Sequence, residues 1–117
     1  MGYVLVIETG DTKMNTEQKI LTHLAPEKRD LGGDILDIAP RIYCADGFSV
    51  SVQAGRANYC SPRDNVGDWN KFELGFPSEA DDLIQEYAEE PNNPTKTVYG
   101  WVPMSVVVAL LEKHGGF

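Results

Sequence analysis

The alternating segment from Gly47 to Ala54 restricts the fold of this chain more than any other feature. Apolar residues occupy every second position, and serine or glutamine occupies the positions between them. Successive side chains of a β-strand point to opposite faces, so this pattern predicts a strand with one buried face. We expect Phe48, Val50, Val52 and Ala54 to form that face.

The surrounding segment 41–76 is predicted to form the sheet of the core. It contains both cysteines, three of the four arginines and three of the four phenylalanines. Gly55 and Arg56 mark a turn, so Ala57–Ser61 is expected to return antiparallel and complete a hairpin. Lys71–Phe76 is a further expected strand, with its two phenylalanines and Leu74 at alternate positions. Short connections favour an antiparallel meander.

Three elements are predicted before this sheet. The apolar, β-branched run Tyr3–Glu8 is typical of an interior strand. Asn15 and Gln18 have the spacing of a capping box and predict the start of a helix, which Ala25 and Pro26 would end. The apolar face of that helix would consist of Ile20, Leu21 and Leu24. Residues 27–40 are polar and glycine-containing, which predicts a mobile or partner-contacting loop with a short edge strand at residues 35–38.

A second helix is predicted to begin at Ser78 and to end near Ala88. Ser78 is a suitable N-cap, and Asp81 supplies a carboxylate three residues later. Glu90 precedes Pro91, which disfavours further helix. The residues at helical spacing that would be buried are Ala80, Leu83, Ile84 and Tyr87.

A last strand and a last helix are predicted near the C-terminal end of the sequence. The strand is Thr97–Val102, with Tyr99 and Trp101 on one face. Pro103 suits the first position of the helix, and Gly115 suits its C-cap. His114 is expected to interact with the final carbonyls of this helix. The apolar face would be formed by Val106, Val107, Leu110 and Leu111.

The order of these elements predicts an α+β fold. We expect one domain spanning residues 1–117, with a mainly antiparallel sheet and about three helices packed on it. The net charge of −8 disfavours direct nucleic-acid binding, because phosphate contacts require clustered Lys and Arg. The sequence contains no apolar run long enough for a membrane span and no signal-peptide pattern, so a cytoplasmic protein is expected.

The sequence contains no recognisable catalytic or metal-binding motif, and no cofactor is expected. Catalysis by Cys60 in the polar Arg56–Asn65 loop would require a histidine or another base within hydrogen-bonding reach. The possible partners, His23 and His114, both lie at predicted helix ends. A metal site from Cys44, Cys60, His114 and Asp46 would lack the close ligand pairs of zinc motifs. We therefore interpret both cysteines as buried, reduced thiols. An enzyme or small-ligand binder using the Arg56–Asn65 loop remains an alternative.

The predicted helix at 78–88 would carry a row of carboxylates. Glu79, Asp82, Glu86 and Glu90 are three or four residues apart, so they would share one helical face. Such a row resembles the charges of a phosphate backbone, although a solvated helix face has the same pattern. Aromatic residues offer a second mode of binding, because exposed aromatics often anchor interfaces. The candidates for that mode are Tyr99, Trp101 and Trp69.

The motifs RIYCADGFSVSVQAGRANYCSPRDN, KFELGFPSE, TVYGWVP and the terminal HGG resemble small acidic proteins of tailed bacteriophages and prophages. The resemblance covers about residues 41–117 and brings no assigned catalytic residues. Proteins of this class often inhibit host machinery, and anti-CRISPR proteins are among them. The resemblance therefore implies a phage-type inhibitor in the bacterial cytoplasm that occupies the basic groove of a nucleic-acid-handling host protein, such as a CRISPR effector. A self-associating accessory or structural phage protein, for instance a homodimer, is a further alternative.

Overall fold

A computed structural model describes residues 14–24, 39–54, 60–61 and 69–117 of the protein. In chain order the elements are helix α1 (Thr16–Leu24), strands β1 (Ile42–Tyr43), β2 (Ser49–Gln53), β3 (Lys71–Gly75) and β4 (Val98–Pro103), and helix α2 (Met104–Lys113). The strands form one antiparallel sheet in the order β1-β2-β3-β4. The α+β class is thereby confirmed, with two α-helices in the described residues where about three were predicted.

Some predicted features lie outside the described residues. They are the strand Tyr3–Glu8, the end of the first helix at Ala25 and Pro26, the polar loop up to residue 38, and most of the Arg56–Asn65 loop.

Strand β2 lies in the middle of the sheet, and its predicted apolar face is confirmed. Phe48, Val50, Val52 and Ala54 are each at most 2% exposed. Val50 pairs with Ile42 on one side, and Val52 pairs with Leu74 on the other. The alternation of the sequence therefore identified both the strand and the side chains that form its part of the core.

The opposite face of β2 is more buried than predicted. Ser49 and Gln53 are only 7% and 8% exposed. The Gln53 amide receives a hydrogen bond from the Ala39 backbone N–H (2.8 Å) and donates one to the Ala39 carbonyl (2.9 Å). The Ser49 hydroxyl accepts from Arg41 Nε (2.9 Å). These polar side chains tolerate burial because their hydrogen bonds replace those to water.

The prediction that Ala57–Ser61 pairs with β2 in a hairpin is wrong at Ser61, which the structure describes. Ser61, at the end of the expected return strand, forms an antiparallel bridge with Lys71. Its N–H donates to the Lys71 carbonyl (3.0 Å). The neighbour of β2 on this side is β3, which pairs Gly75 with Ser51. The strand that pairs with β2 on the side opposite β1 therefore comes from later in the chain than predicted.

The end of strand β3 differs from the prediction at Phe76. Phe72 and Leu74 are fully buried, but Phe76 is 50% exposed. Its backbone has a φ of 51°, in the left-handed region that non-glycine residues seldom adopt. The chain turns away from the strand there, so the alternation predicted for residues 71–76 stops one residue early.

A β-bulge in β4 separates two aromatic residues that were predicted to share a face. Leu74 pairs with Tyr99 and Phe72 pairs with Val102, so Glu73 alone lies opposite Gly100 and Trp101. The extra residue reverses the alternation of side chains along the strand. As a result, Tyr99 is fully buried, whereas Trp101 is 48% exposed and has a φ of 51°.

Helix α1 begins with the predicted capping box. The Asn15 side-chain oxygen accepts from the Gln18 N–H (2.8 Å), and the Asn15 N–H donates to Gln18 Oε1 (2.9 Å). Reciprocal bonds of this kind satisfy amide groups that have no partner inside the helix. Ile20 and Leu24 are buried, and Leu21 packs against the core with partial exposure.

Helix α2 packs against α1 and against strands β3 and β4. Val107, Leu110 and Leu111 are buried as predicted, and Val106 is partly buried. Pro103 is the N-cap of the helix, one position before the first helical position predicted for it. It also ends β4, one residue later than the predicted end at Val102.

The C-terminus of α2 confirms the role predicted for Gly115. The Gly116 N–H donates to the Leu111 carbonyl (2.8 Å), and the Gly115 N–H donates to the Glu112 carbonyl (3.1 Å). This pair of bonds is the Schellman motif, which requires a left-handed residue after the C-cap. Gly115 supplies it with a φ of +95°.

Replacement of Gly115 by alanine is expected to destabilise the protein by about 2 kcal/mol. An added Cβ would lie 2.8 Å from Ala45 Cβ, and the residue would also keep its positive φ. Gly116→Ala is the matched control, because Gly116 has a φ of +79° but no atom within 4 Å of an added Cβ. Urea unfolding of both variants measures the difference. Equal losses of stability would show that the contact with Ala45 contributes nothing.

Candidate functional site

The segment from Ser78 to Glu90 is not the α-helix that the sequence predicted. It consists of bends and turns with a single 3₁₀ turn at Gln85–Tyr87. The Ser78 hydroxyl accepts a hydrogen bond from the Ser49 N–H (2.9 Å) of β2 and does not cap a helix. Of the four side chains expected to be buried, Ile84 is buried and Tyr87 partly buried, but Ala80 and Leu83 are exposed.

Asp81 provides the physical reason for this difference. It is 5% exposed, and its Oδ1 accepts from the Leu83 N–H (2.9 Å) two residues later. Aspartate that bonds locally to the backbone in this way competes with helix formation. Its other oxygen binds groups of helix α2, as described below. The sequence placed the Asp81 carboxylate in the solvent-exposed first turn of a helix. In the structure, this carboxylate is buried and holds a non-helical segment against the rest of the protein.

The absence of the helix changes the geometry of the predicted acidic row. Glu79, Asp82, Glu86 and Glu90 are all exposed, but they do not lie along one helical face. The prediction that they bind a partner is not tested by this geometry. The resemblance to the regular charge row of a phosphate backbone is no longer supported.

The acidic character of the segment itself remains. Residues 79–90 include six acidic and no basic side chains. Within the described part of the chain, only Asp81 of these six forms an ion pair, which it makes with Lys113 (3.0 Å) and His114 (2.9 Å). The five others are exposed. We call residues 79–90 the acidic segment.

Backbone contacts hold the end of the acidic segment against strand β4. Ala88 forms an antiparallel bridge with Tyr99, and the Glu89 N–H donates to the Val98 carbonyl (2.9 Å). The Glu90 N–H donates to the Thr97 hydroxyl oxygen (3.0 Å). These bonds fix Glu89 beside the strand that carries Trp101.

A surface groove of about 250 Å³ lies at this junction. The residues of the described chain that line it are Tyr87, Glu89, Val98, Gly100 and Trp101. We call it the aromatic groove. The sequence suggested two separate binding modes, one through carboxylates and one through aromatic rings. In the structure, a carboxylate and aromatic rings line the same groove.

The structure assigns the three aromatic candidates to different environments. Trp101 is half exposed and lines the groove. Tyr99 is fully buried and donates a hydrogen bond from its hydroxyl to the Pro94 carbonyl. Trp69 is only 2% exposed. The predictions of exposed binding side chains at Tyr99 and Trp69 are therefore wrong, whereas the prediction of exposure at Trp101 is confirmed.

His114 connects the acidic segment to the rest of the fold. Its Nδ1 lies 2.7 Å from Asp46 Oδ2, and its Nε2 lies 2.9 Å from Asp81 Oδ2. The ring stacks on Phe48, with centroids 3.9 Å apart and planes 9° apart. The expectation that His114 binds the final carbonyls of its helix is wrong, because the backbone N–H groups of residues 114–116 bind those carbonyls.

Both carboxylates favour a charged His114 ring. Burial alone would lower the pKa of His114, but hydrogen bonds and charges from Asp81 and Asp46 outweigh it and raise that pKa. Burial would raise the pKa of Asp81, yet the Leu83 N–H, His114 and Lys113 lower it. The pKa of Asp46 is lowered by the Phe48 N–H and by His114. Because a carboxylate lies next to each ring nitrogen, the geometry is consistent with an imidazolium that donates a hydrogen bond from both nitrogens.

This arrangement is suited to structural support and poorly suited to catalysis. Both nitrogens of His114 are occupied, and the ring is 8% exposed. Cys44 and Cys60 are buried thiols that are not joined by a disulfide, as interpreted from the sequence. The pKa of Cys44 is raised by burial and by Asp46, which disfavours the nucleophilic thiolate. In the part of the chain that the structure describes, no three His, Cys, Asp or Glu side chains are placed to hold a metal ion.

Comparisons with known proteins do not identify the chain. No family model, no curated protein and no solved structure matches it. The similarity to phage proteins therefore stays a prediction. Among the described helices, neither has the length and apolar character needed to cross a bilayer.

Replacing His114 by glutamine is expected to cost about 3 kcal/mol near pH 5.5, because it leaves the buried Asp81 carboxylate with one cationic partner fewer. The raised pKa of His114 means that its contribution is complete below about pH 6.5 and is lost as pH rises through the folded-state pKa. The lowered pKa of both aspartates means that their contribution is present above about pH 3.9 and is lost as pH falls through their folded-state pKa. The difference between wild type and variant should therefore be largest between about pH 4 and 6.5.

Urea unfolding of both proteins at about pH 5.5 and about pH 9 measures this difference. The control is His23→Gln, which makes the same substitution at the other histidine and so separates an effect of position 114 from the loss of a histidine as such. A His114→Gln defect that is the same at both pH values would contradict the ionic role of His114.

Proposed function

We propose that this protein is a binding protein that inhibits a nucleic-acid-handling protein of a bacterial host by occupying a basic surface on it. The observation that carries the proposal is the acidic segment, where five exposed carboxylates within twelve residues form no ion pair in the described structure. The aromatic groove at the end of this segment supplies a site for close contact.

The charge distribution supports a cationic partner. Carboxylates of like charge that lie close together repel one another, and this repulsion is relieved when positive charges approach. Among the described residues, the ion pairs of the segment involve Asp81 alone, so the five exposed carboxylates take no part in them. Complementary potentials also accelerate the encounter of two proteins. The acidic segment is therefore suited to guide the protein to a basic surface.

The nature of the partner follows from where basic surfaces occur. Proteins that bind DNA or RNA carry clustered Lys and Arg, because these groups displace the counterions of the phosphates. An acidic protein that covers such a cluster would block access of the nucleic acid. The resemblance to phage proteins makes a host defence protein, such as a CRISPR effector, the first partner to test.

Reversal of two charges in the acidic segment tests the proposal. We expect the double variant Asp82→Lys, Glu86→Lys to bind the partner about tenfold or more weakly, mainly through a slower association rate. Affinity capture from bacterial host lysates would supply the partner, and association kinetics at low and physiological salt would measure the effect. A weaker salt dependence in the variant is expected as well.

The double variant Glu17→Lys, Glu112→Lys is the matched control. It has the same change in net charge, and both residues are exposed and belong to helices α1 and α2, outside the acidic segment. The control should retain most of the affinity. If the Asp82 and Glu86 reversals leave binding and inhibition unchanged at physiological salt, the proposed binding surface is wrong.

A further inference from the structure

The aromatic groove combines features that a uniformly acidic surface lacks. The bulge in β4 places Trp101 at the surface with 48% exposure. Tyr87, from the 3₁₀ turn of the acidic segment, is the second aromatic residue that lines the groove. Val98 and Gly100 complete its apolar lining, and Glu89 is the one charged residue among its described lining residues.

The size of the groove limits what it can hold. Its volume of about 250 Å³ is below the roughly 300–1,000 Å³ of pockets that enclose drug-sized ligands. A single large side chain of a partner protein is an appropriate occupant. A whole secondary-structure element is too large for it.

The chemistry of the lining indicates a cation. Aromatic faces attract cations through the ring quadrupole, and tryptophan is the most effective of the aromatic side chains. Glu89 adds a carboxylate that is exposed and forms no ion pair with any described residue. Glu86 and Glu90, on either side in the sequence, increase the negative potential. An apolar side chain would use the aromatic walls but would gain nothing from these charges.

We propose that the aromatic groove binds one arginine side chain of the partner, an inference that rests on the proposed function. A guanidinium group is planar, stacks on aromatic rings and forms two parallel hydrogen bonds with one carboxylate. A lysine ammonium is a compact and strongly hydrated charge that neither stacks nor bonds in this bidentate way. The groove therefore gives the protein selectivity for arginine, in addition to the general attraction of the acidic segment for positive charge.

Two short peptides test the selectivity directly. One alternates glycine with arginine, and the other alternates glycine with lysine, so that net charge and length are the same. We expect the arginine peptide to bind about threefold or more tightly, and to shift the indole N–H resonance of Trp101 in titrations followed by nuclear magnetic resonance. Trp101→Phe assigns this resonance and, because it keeps an aromatic ring, should retain part of the binding.

Substitutions in the groove separate its contribution from that of general charge. Trp101→Ala is expected to weaken binding of the arginine peptide about tenfold, and Glu89→Gln about fivefold. Glu79→Gln is the matched control, since it removes one exposed carboxylate of the same segment outside the groove, and less than about twofold loss is expected. Urea unfolding verifies that each variant is folded.

Three results would overturn the inference. They are equal affinity for the two peptides, equal losses for Glu89→Gln and Glu79→Gln, and no shift of the Trp101 resonance up to about 10 mM peptide. If any of these occurs while the Asp82 and Glu86 reversals still weaken partner binding, the proposed function stands and only the arginine site is wrong. If those reversals also have no effect, both proposals are wrong.

Discussion

The contact of His114 with two carboxylates is the interaction on which the arrangement of the surface depends. It joins Asp46, in the turn between β1 and β2, to Asp81 in the acidic segment and to the end of helix α2. The ion pair of His114 with Asp81 has low exposure, and such a pair is stable only if the remaining polar atoms also have partners. Here backbone N–H groups bind both Asp81 and the more exposed Asp46. Because Asp81 is held in this way, the acidic segment remains non-helical and its other carboxylates face solvent.

The bulge in β4 has an equally direct effect on the surface that we propose for binding. One additional residue opposite Glu73 places Tyr99 in the core and Trp101 at the surface. The same strand therefore contributes a core residue to the sheet and an exposed aromatic side chain to the surface. Backbone bonds from Glu89 and Glu90 to the start of β4 complete the groove, since they hold the acidic segment beside Trp101.

The two proposals together combine long-range and short-range recognition. The acidic segment would act over the distance of electrostatic screening, roughly 8–10 Å at physiological salt, and would attract any basic surface. The aromatic groove would act only in contact and would distinguish among cationic side chains. A protein with both features would find basic surfaces quickly and would remain on those that present a suitably placed arginine.

The sequence by itself determined the local structure: the alternation in β2, the capping box of α1 and the glycine at the end of α2 are set by neighbouring residues, and all three were predicted. It also determined the charge of the acidic segment. Tertiary structure alone decided the path of that segment and the burial of Tyr99 beside an exposed Trp101. The contact between Asp81 and His114 spans 33 residues, and the bulge depends on the register between β3 and β4. Local propensity favoured a helix at Ser78, but a buried, ion-paired aspartate outweighed that propensity, because helix propensities amount to only about 1 kcal/mol or less per residue.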